Sequence, residues 1–351
     1  MGIHWQRQEL DLEIMKMLYE YGPIRARTFV DMFSNHKQQK VYDRLRELRR
    51  MEMLDSEVYV GESDEEQSSN RIKKPKKYGK VYFLTSYGVE RTKLLVYGAE
   101  IDGNERSQRP DDKEIATYWK ASLLMSNIPL KFMPKRIFKR KYDLPNNMMI
   151  DLGYKRWAIT FARNSTETHR ARLAHQISVM VNRGHSKNLI LCNTRAQQLS
   201  LVKYFRTAYV PGVYVLVFND YDTITRLLTD TVMEDTIQTL QDEVGPVERL
   251  DPPQDGYKYR VNNQYANIYP LVGFPIEQMI KLEKSVTLPG YIALADIQQY
   301  KQIIKHYSKL LAKYKPIIAK EYIHTLEEEP ETPAEKERYR DWAVEINFDS
   351  I

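Results

Sequence analysis

The first hundred residues follow an order of helical and extended patterns that restricts the fold to a few small architectures. Apolar residues at spacings of three and four predict three short helices, within residues 8–21, 26–33 and 37–50. Two runs that alternate like β-strands follow on either side of a polar loop, at residues 56–60 and 80–84. Residues 85–95 predict a fourth helix, which Thr85 or Ser86 caps, and Ser34-Asn35 is the expected cap of the third.

This order resembles the winged helix-turn-helix family. The resemblance covers about residues 10–96 and is carried by RLRELRRMEML before the first strand and VYFLTSYGVERTKLL around the second. It implies a module that binds DNA, with some members mediating protein contacts only. Since one fold serves many functions, the ligand has to be argued from side chains.

The third helix carries the candidate base-reading residues. Val41, Leu45 and Leu48 mark its inner face. In a helix-turn-helix the recognition helix enters the major groove, where Gln can bond adenine, and Arg or Lys can bond guanine. The side chains expected to contact DNA from this helix are Lys37, Gln38, Gln39, Lys40, Tyr42 and Arg44.

The loop between the two strands is acidic first and basic after. Its basic half suits phosphate or minor-groove contact, through Arg71, Lys73, Lys74, Lys76 and Lys77. The alternative is that the acidic run Glu62–Glu66 neutralises these charges and leaves a solubilising loop.

The middle of the chain is strongly basic. Residues 113–228 carry 19 Lys and Arg against 6 Asp and Glu, whereas residues 229–351 carry 14 against 21. Such asymmetry favours a polyanionic partner. Four basic residues on an expected strand over 131–138 and just beyond it are the candidate phosphate contacts: Lys135, Arg136, Lys139 and Arg140. An edge strand protected from aggregation by its lysines is the alternative.

The same region predicts a helix, three extended segments, a helix and a strand, followed by further helices and strands, hence an α/β domain with a mixed sheet. This order resembles the restriction-endonuclease core. Joined to a winged helix, it resembles the replication-relaxation proteins of Gram-positive plasmids and mobile elements. That family usually has acidic residues at the positions that Asn146, Thr160 and Ala162 occupy in this chain. A degenerate, non-catalytic domain is therefore expected, with Asp151 as a strand-end residue.

The C-terminal part predicts strands at residues 257–261 and 265–271 and a long helix over 293–326. The apolar stripe of that helix needs a covering surface, either its own domain or a second copy in a homodimer. Polar breaks at 98–113 and 245–256 divide the chain. The expected domains are a winged helix at 1–100, a basic α/β domain at 113–235 and a strand pair with a long helix at 256–351.

Several function classes lose support. Cys192 is the single cysteine, so an internal disulfide or a cysteine-rich metal site is excluded. No long apolar run, secretion signal, phosphate-binding glycine loop or histidine pair with metal-ligand spacing is present, so we expect a cytoplasmic protein without membrane partner or cofactor.

The sequence thus predicts an α/β (α+β overall), non-enzymatic, sequence-specific double-stranded DNA-binding protein. The resemblance implies a role in plasmid replication or transfer initiation, with replication or transfer proteins as partners. A transcriptional regulator of the same element and a metal-dependent nuclease are the alternatives.

Overall fold

The computed structural model describes residues 8–61, 76–99, 106–163, 166–185, 187–284, 290–294 and 314–318, together with residues 299, 301, 303, 305 and 307. It is a mixed structure of helices and sheets that divides into two compact units. The first unit comprises Met1–Thr229 and Gly273–Ile280, and the second comprises Asp230–Val272 and Lys281–Ile351.

The N-terminal part of the first unit follows the predicted order, with one additional short strand. Its elements are α1 (Glu9–Tyr21), β1 (Ile24–Arg25), α2 (Ala26–Met32), α3 (Gln38–Arg50), β2 (Leu54–Gly61), β3 (Lys76–Leu84) and α4 (Ser86–Tyr97). The three strands form an antiparallel sheet in the order β1-β3-β2. Helices α1–α4 and this sheet enclose one apolar cluster, which includes Ile14, Phe29, Leu45 and Leu84.

The helix caps are predicted correctly in one case and wrongly in the other. The Thr85 hydroxyl accepts a hydrogen bond from the Gly88 amide at 3.0 Å and caps α4. The prediction of Ser34-Asn35 as the cap of α3 is wrong, because Lys37 occupies the N-cap position and no side chain caps it. Helix α3 therefore depends on its packing rather than on a local cap.

The stretch 98–113, which the sequence marks as a polar break, lies within the first compact unit. The helix that follows it, α5 (Asp112–Asn127), packs on α2 and β1. The Ser122 hydroxyl accepts a hydrogen bond from the Arg25 amide at 3.1 Å, and the Thr28 hydroxyl donates to the Ser122 carbonyl at 3.0 Å. Trp119 lies under the Arg25 guanidinium and beside Tyr59. The first hundred residues and the basic region thus share one compact unit.

The basic region folds around a five-stranded sheet in the order β4-β5-β6-β7-β8. Strands β4, β5 and β6 are antiparallel, whereas β6, β7 and β8 are parallel and connected through helices. The elements are β4 (Met133–Pro134), α6 (Lys135–Lys141), β5 (Leu152–Tyr154), β6 (Trp157–Phe161), α7 (Glu167–Asn182), β7 (Lys187–Cys192), α8 (Arg195–Thr207), β8 (Val213–Val217) and α9 (Tyr221–Thr229). The near-continuous apolar composition of β6–β8 agrees with burial on both faces.

The strand predicted over residues 131–138 is wrong for most of its length. Only Met133–Pro134 forms a strand, and α6 begins directly after Pro134, which is its N-cap. Phe138 is fully buried, and its ring lies so close to Gly153 of β5 that a Cβ there would stand 1.9 Å from Phe138 Cδ2. Lys135, Arg136, Lys139 and Arg140 therefore lie on a helix that Phe138 anchors to the sheet.

The second unit contains a five-stranded sheet in the order β13-β12-β11-β10-β9. Its elements are α10 (Val232–Glu243), β9 (Val247–Gln254), β10 (Tyr257–Val261), β11 (Gln264–Pro270), β12 (Gly290–Leu294) and β13 (Tyr314–Ile318), and α11 (Ile276–Lys284) contains residues of both units. Leu240 of α10 packs on Val261 and Ile268 of the sheet. The two edge strands carry prolines, Pro252 and Pro253 in β9 and Pro316 in β13.

Two predictions for this unit are wrong. The predicted polar break at 245–256 is largely strand β9. The predicted helix 293–326 is interrupted, since Ala293 lies in β12 and residues 314–318 form β13, although residues 299, 301, 303, 305 and 307 are helical. Ile303 and Tyr307 are buried within the chain, so these members of the apolar stripe are not available to a second copy.

The contact between Gly153 and Phe138 gives a test of how α6 is held. We expect Gly153→Ala to lower the free energy of unfolding by roughly 1–3 kcal/mol, because the added methyl group overpacks a buried aromatic contact. The control Gly98→Ala adds a methyl group that meets nothing within 4 Å, at a φ of +62°; its cost is backbone strain of about 1 kcal/mol. Urea denaturation of both variants measures the difference. A Gly153 variant as stable as the parent contradicts the packing described.

Candidate nucleic-acid interface

Helix α3 presents one buried face and one polar exposed face. Val41, Leu45 and Leu48 are fully buried against the N-terminal core. The exposed residues around the other side of the helix are Gln38, Gln39, Lys40, Asp43, Arg46, Arg49 and Arg50, and Lys37 at the N-cap is exposed as well. The N-terminal half of α3 thus carries side chains that can donate to base edges or phosphates.

Arg44 does not belong to this exposed face, contrary to the prediction. Its Nε and Nη2 atoms donate to the two carboxylate oxygens of Asp11 at 2.7 and 2.6 Å. The Asp11 side chain is 0% exposed and that of Arg44 13%. Asp11 also accepts a hydrogen bond from the Gln8 amide at 2.9 Å. Arg44 therefore fixes α3 to α1 and is not a base-reading residue.

Arg46, and not Arg44, is the arginine that lies on the exposed face of α3. Its Nη2 atom lies 2.8 Å from the Asp43 carboxylate, which also accepts a hydrogen bond from the Gln39 amide nitrogen at 2.9 Å. Gln39, Asp43 and Arg46 form an exposed stripe, spaced by four and three residues along the helix. This spacing can be read from the sequence and could have placed Arg46 on the exposed face of α3.

The remaining predicted residues of the N-terminal part divide into four groups. Lys37, Gln38 and Lys40 are exposed, whereas Tyr42 is half-buried and packs against the N-terminal core. Arg71, Lys73 and Lys74 lie outside the described residues. Lys76 and Lys77 begin strand β3, where Lys77 is in register with Val60, so they lie on the strand and not in the loop.

The four candidates of the basic region have different surroundings. Arg136 and Arg140 are exposed. The Lys135 ammonium lies 3.2 Å from the Tyr118 hydroxyl. Lys139 is buried and donates to the Asn146 carbonyl at 2.7 Å, and burial lowers the pKa of its ammonium. Lys139 therefore supports the segment before β5 and does not face a phosphate, which corrects the prediction for this residue.

Asp151 holds the end of this segment against β6. Its carboxylate accepts a hydrogen bond from the Phe161 amide at 2.8 Å and lies 3.5 Å from the Arg163 guanidinium. Burial raises the pKa of Asp151, while the Phe161 amide and the positive charge of Arg163 oppose that rise. Thr160 donates to the Met149 carbonyl at 2.5 Å, and Asn146 is exposed. Within the described residues, no group of three or more His, Cys, Asp or Glu side chains has an arrangement that fits a metal ion.

The helices of the described segments include none with the length and apolar character needed to cross a membrane. No family model, curated protein or solved structure matches the chain. The interface therefore has to be judged on its own residues.

The Asp11–Arg44 pair predicts how the N-terminal part responds to substitution. We expect Arg44→Ala to lower the free energy of unfolding by about 3–5 kcal/mol, because it leaves a buried carboxylate without its counter-charge. The double variant Asp11→Asn/Arg44→Ala should lose less than the sum of the two single variants, since neither charge is left alone. Urea denaturation of the four proteins gives the coupling energy. Additive losses would show that the pair is not coupled.

Asp151 predicts a pH dependence of stability. Its pKa is raised in the folded protein, so the folded state binds this proton more tightly than the unfolded state does. The resulting stabilisation is complete below the ordinary Asp pKa of about 4 and is lost as the pH rises through the folded pKa. The free energy of unfolding of the parent relative to Asp151→Asn should therefore fall as the pH is raised from about 3.5 to 7.5. Asp143→Asn, at an exposed carboxylate, is the control. If the free energy of unfolding of the parent relative to Asp151→Asn rises with pH instead, the pKa of Asp151 is not raised in the folded protein.

Proposed function

We propose that the chain is a sequence-specific double-stranded DNA-binding protein whose N-terminal part is a winged helix-turn-helix with α3 as its recognition helix. The observation that carries the proposal is the division of α3 into a fully buried apolar face and an exposed stripe of Gln39, Asp43 and Arg46. Glutamine and arginine are side chains that bond adenine and guanine through two atoms at once.

The surroundings of α3 support the same proposal. Helix α2 precedes α3, with residues 33–37 between them, and the β2–β3 hairpin follows it directly. A helix pair of this kind places its second helix in the major groove, and an adjacent hairpin is suited to contact the phosphate backbone. Since Arg44 ties α3 to α1 through two hydrogen bonds, the exposed stripe is held in a fixed orientation before DNA is bound.

The biological role that fits this proposal is initiation of plasmid replication or transfer. It rests on the resemblance to replication-relaxation proteins and not on the geometry of α3. Genome-wide footprinting of the tagged protein in a host that carries the mobile element tests the role. Sites at direct repeats of an origin support it, and sites at inverted repeats of a promoter favour the transcriptional regulator instead.

The exposed stripe of α3 gives the test of sequence readout. A cognate duplex is first selected from a random library with the full-length protein. Gln39→Ala and Arg46→Ala should then each lower the preference for this duplex over a scrambled one by about 1–3 kcal/mol. The cause is the loss of hydrogen bonds to base edges, and competition binding measures the preference.

Gln238→Ala is the matched control, because Gln238 bonds Asp242 on the exposed face of α10 in the way that Gln39 bonds Asp43 on α3. The Gln238→Ala variant should prefer the cognate duplex over the scrambled one as strongly as the parent does. If the two α3 variants discriminate as well as the parent does, α3 is not the recognition helix.

A further inference from the structure

The basic region gathers positive side chains at the amino-terminal edge of its sheet. Arg140 and Lys141 end α6, Lys155 and Arg156 form the turn between β5 and β6, and Arg183 caps the end of α7. Lys187 begins β7 beside Trp157 of β6. We call this set the basic edge: Arg140, Lys141, Lys155, Arg156, Arg183 and Lys187.

Two hydrogen bonds and a cation–π contact hold these separate segments together. The Arg183 guanidinium donates to the Asp143 carbonyl at 2.6 Å, which joins the end of α7 to the residues after α6. The Tyr142 hydroxyl donates to the Lys155 carbonyl, which joins the same residues to the β5–β6 turn. The Lys187 ammonium lies 5.1 Å from the centre of the Trp157 ring. The members of the basic edge are therefore neighbours in space although they are up to 47 residues apart in the chain.

A rigid aromatic layer supports the basic edge from inside. The rings of Phe138, Tyr142 and His185 lie 4.7–5.2 Å apart, and Phe138 and His185 are buried. Burial lowers the pKa of the His185 imidazole. The Lys187 backbone hydrogen bond opposes this shift, and the positive charge of Arg156 adds to it. This layer fixes the backbone that carries the charges, so little ordering is required when a ligand binds.

The charge of the basic edge is hardly neutralised. Asp143 is the single acidic residue in the segments 135–143, 154–157 and 183–187. None of the ion pairs found in the described residues includes Arg140, Lys141, Lys155, Arg156 or Arg183. The basic members of those pairs are Arg25, Arg27, Arg44, Arg46, Arg49, Arg50, Arg109, Arg163, Arg226 and Arg260. These five side chains are exposed. Exposed positive charges without carboxylate partners are suited to bind phosphates.

We propose that the basic edge binds the phosphate backbone of double-stranded DNA, independently of base sequence. This inference rests on the proposed function, in that the ligand is the same class of nucleic acid that α3 reads. Repeated phosphates match charges that are spread over a helix end, a turn and a second helix end. An anionic membrane is the less suitable partner, because Ile137 is the one large apolar side chain exposed on α6.

The salt dependence of binding to a random-sequence duplex tests the proposal. Each phosphate contact contributes about −0.9 to the slope of log K against log salt concentration. The full-length double variant Lys155→Gln/Arg156→Gln should therefore have a slope about 1–2 units shallower than the parent. Lys155→Arg/Arg156→Lys keeps both charges and should keep the parent slope. Arg249→Gln/Lys258→Gln, at exposed strand positions of the second unit, is the matched control for the loss of two charges.

Unfolding curves of the same proteins verify that the variants are folded. As a second measurement, bound duplex should protect Lys141 and Lys155 from acetylation in the parent while Lys258 stays reactive. A glutamine variant with the parent slope, or lysines acetylated equally with and without DNA, would overturn the proposal. If the glutamine variant loses binding to vesicles that contain phosphatidylserine while its DNA slope equals that of the parent, the proposal is overturned in favour of a membrane.

The two proposals fail in different ways. If the glutamine variant has a shallow slope but no duplex is preferred over a scrambled one, sequence readout by α3 is refuted and the basic edge stands. If a cognate duplex is preferred and the slope of the glutamine variant equals that of the parent, the basic edge is refuted and the readout stands.

Discussion

The ion pair between Asp11 and Arg44 is the interaction on which the N-terminal part depends. A carboxylate with no exposed surface has to be matched by charge and by hydrogen-bond donors, and Arg44 supplies both through two of its nitrogen atoms. Because α3 has no side-chain cap, this pair and the buried Val41, Leu45 and Leu48 determine how the helix is set on α1. The orientation of the exposed stripe of α3 is thus determined from the buried side of the helix, so a buried substitution can change how that stripe is presented.

A second constraint joins this module to the basic region. Helix α5 contacts β1 and α2 through hydrogen bonds of Ser122 with Arg25 and Thr28, and the Tyr21 hydroxyl donates to the Phe132 carbonyl at 2.6 Å. These bonds place the beginning of the sheet that carries the basic edge in the same compact unit as α3. Under the two proposals, these surfaces of one compact unit would share a single duplex, with the backbone contacts adding affinity and the base contacts adding selectivity.

Local patterns were sufficient for elements whose stability is local. The apolar pattern predicts a helix over residues 195–207, which are the bounds of α8. It also predicts a helix over residues 166–182, and α7 begins one residue later because Thr166 is its N-cap. Helix α6 was missed because residues 131–138 were interpreted as an extended segment, whereas only Met133–Pro134 is a strand. The role of Arg44 depends on a partner 33 residues away, and β12–β13 depend on parallel pairing across an intervening segment. Neither kind of contact leaves a periodic trace in the sequence. The basic edge, collected from four separate segments, was equally hidden.

The prolines on both edge strands of the second sheet have a consequence for association. An edge strand normally offers a row of free amide N–H groups on which another chain can extend the sheet. Pro252 and Pro253 on one edge and Pro316 on the other lack that donor and interrupt the row where a strand would dock. Open-ended growth of this sheet from one molecule to the next is thereby blocked at each end. High local concentrations of the protein, as would arise on an array of adjacent binding sites, should bring its copies side by side without fusing their sheets into fibres.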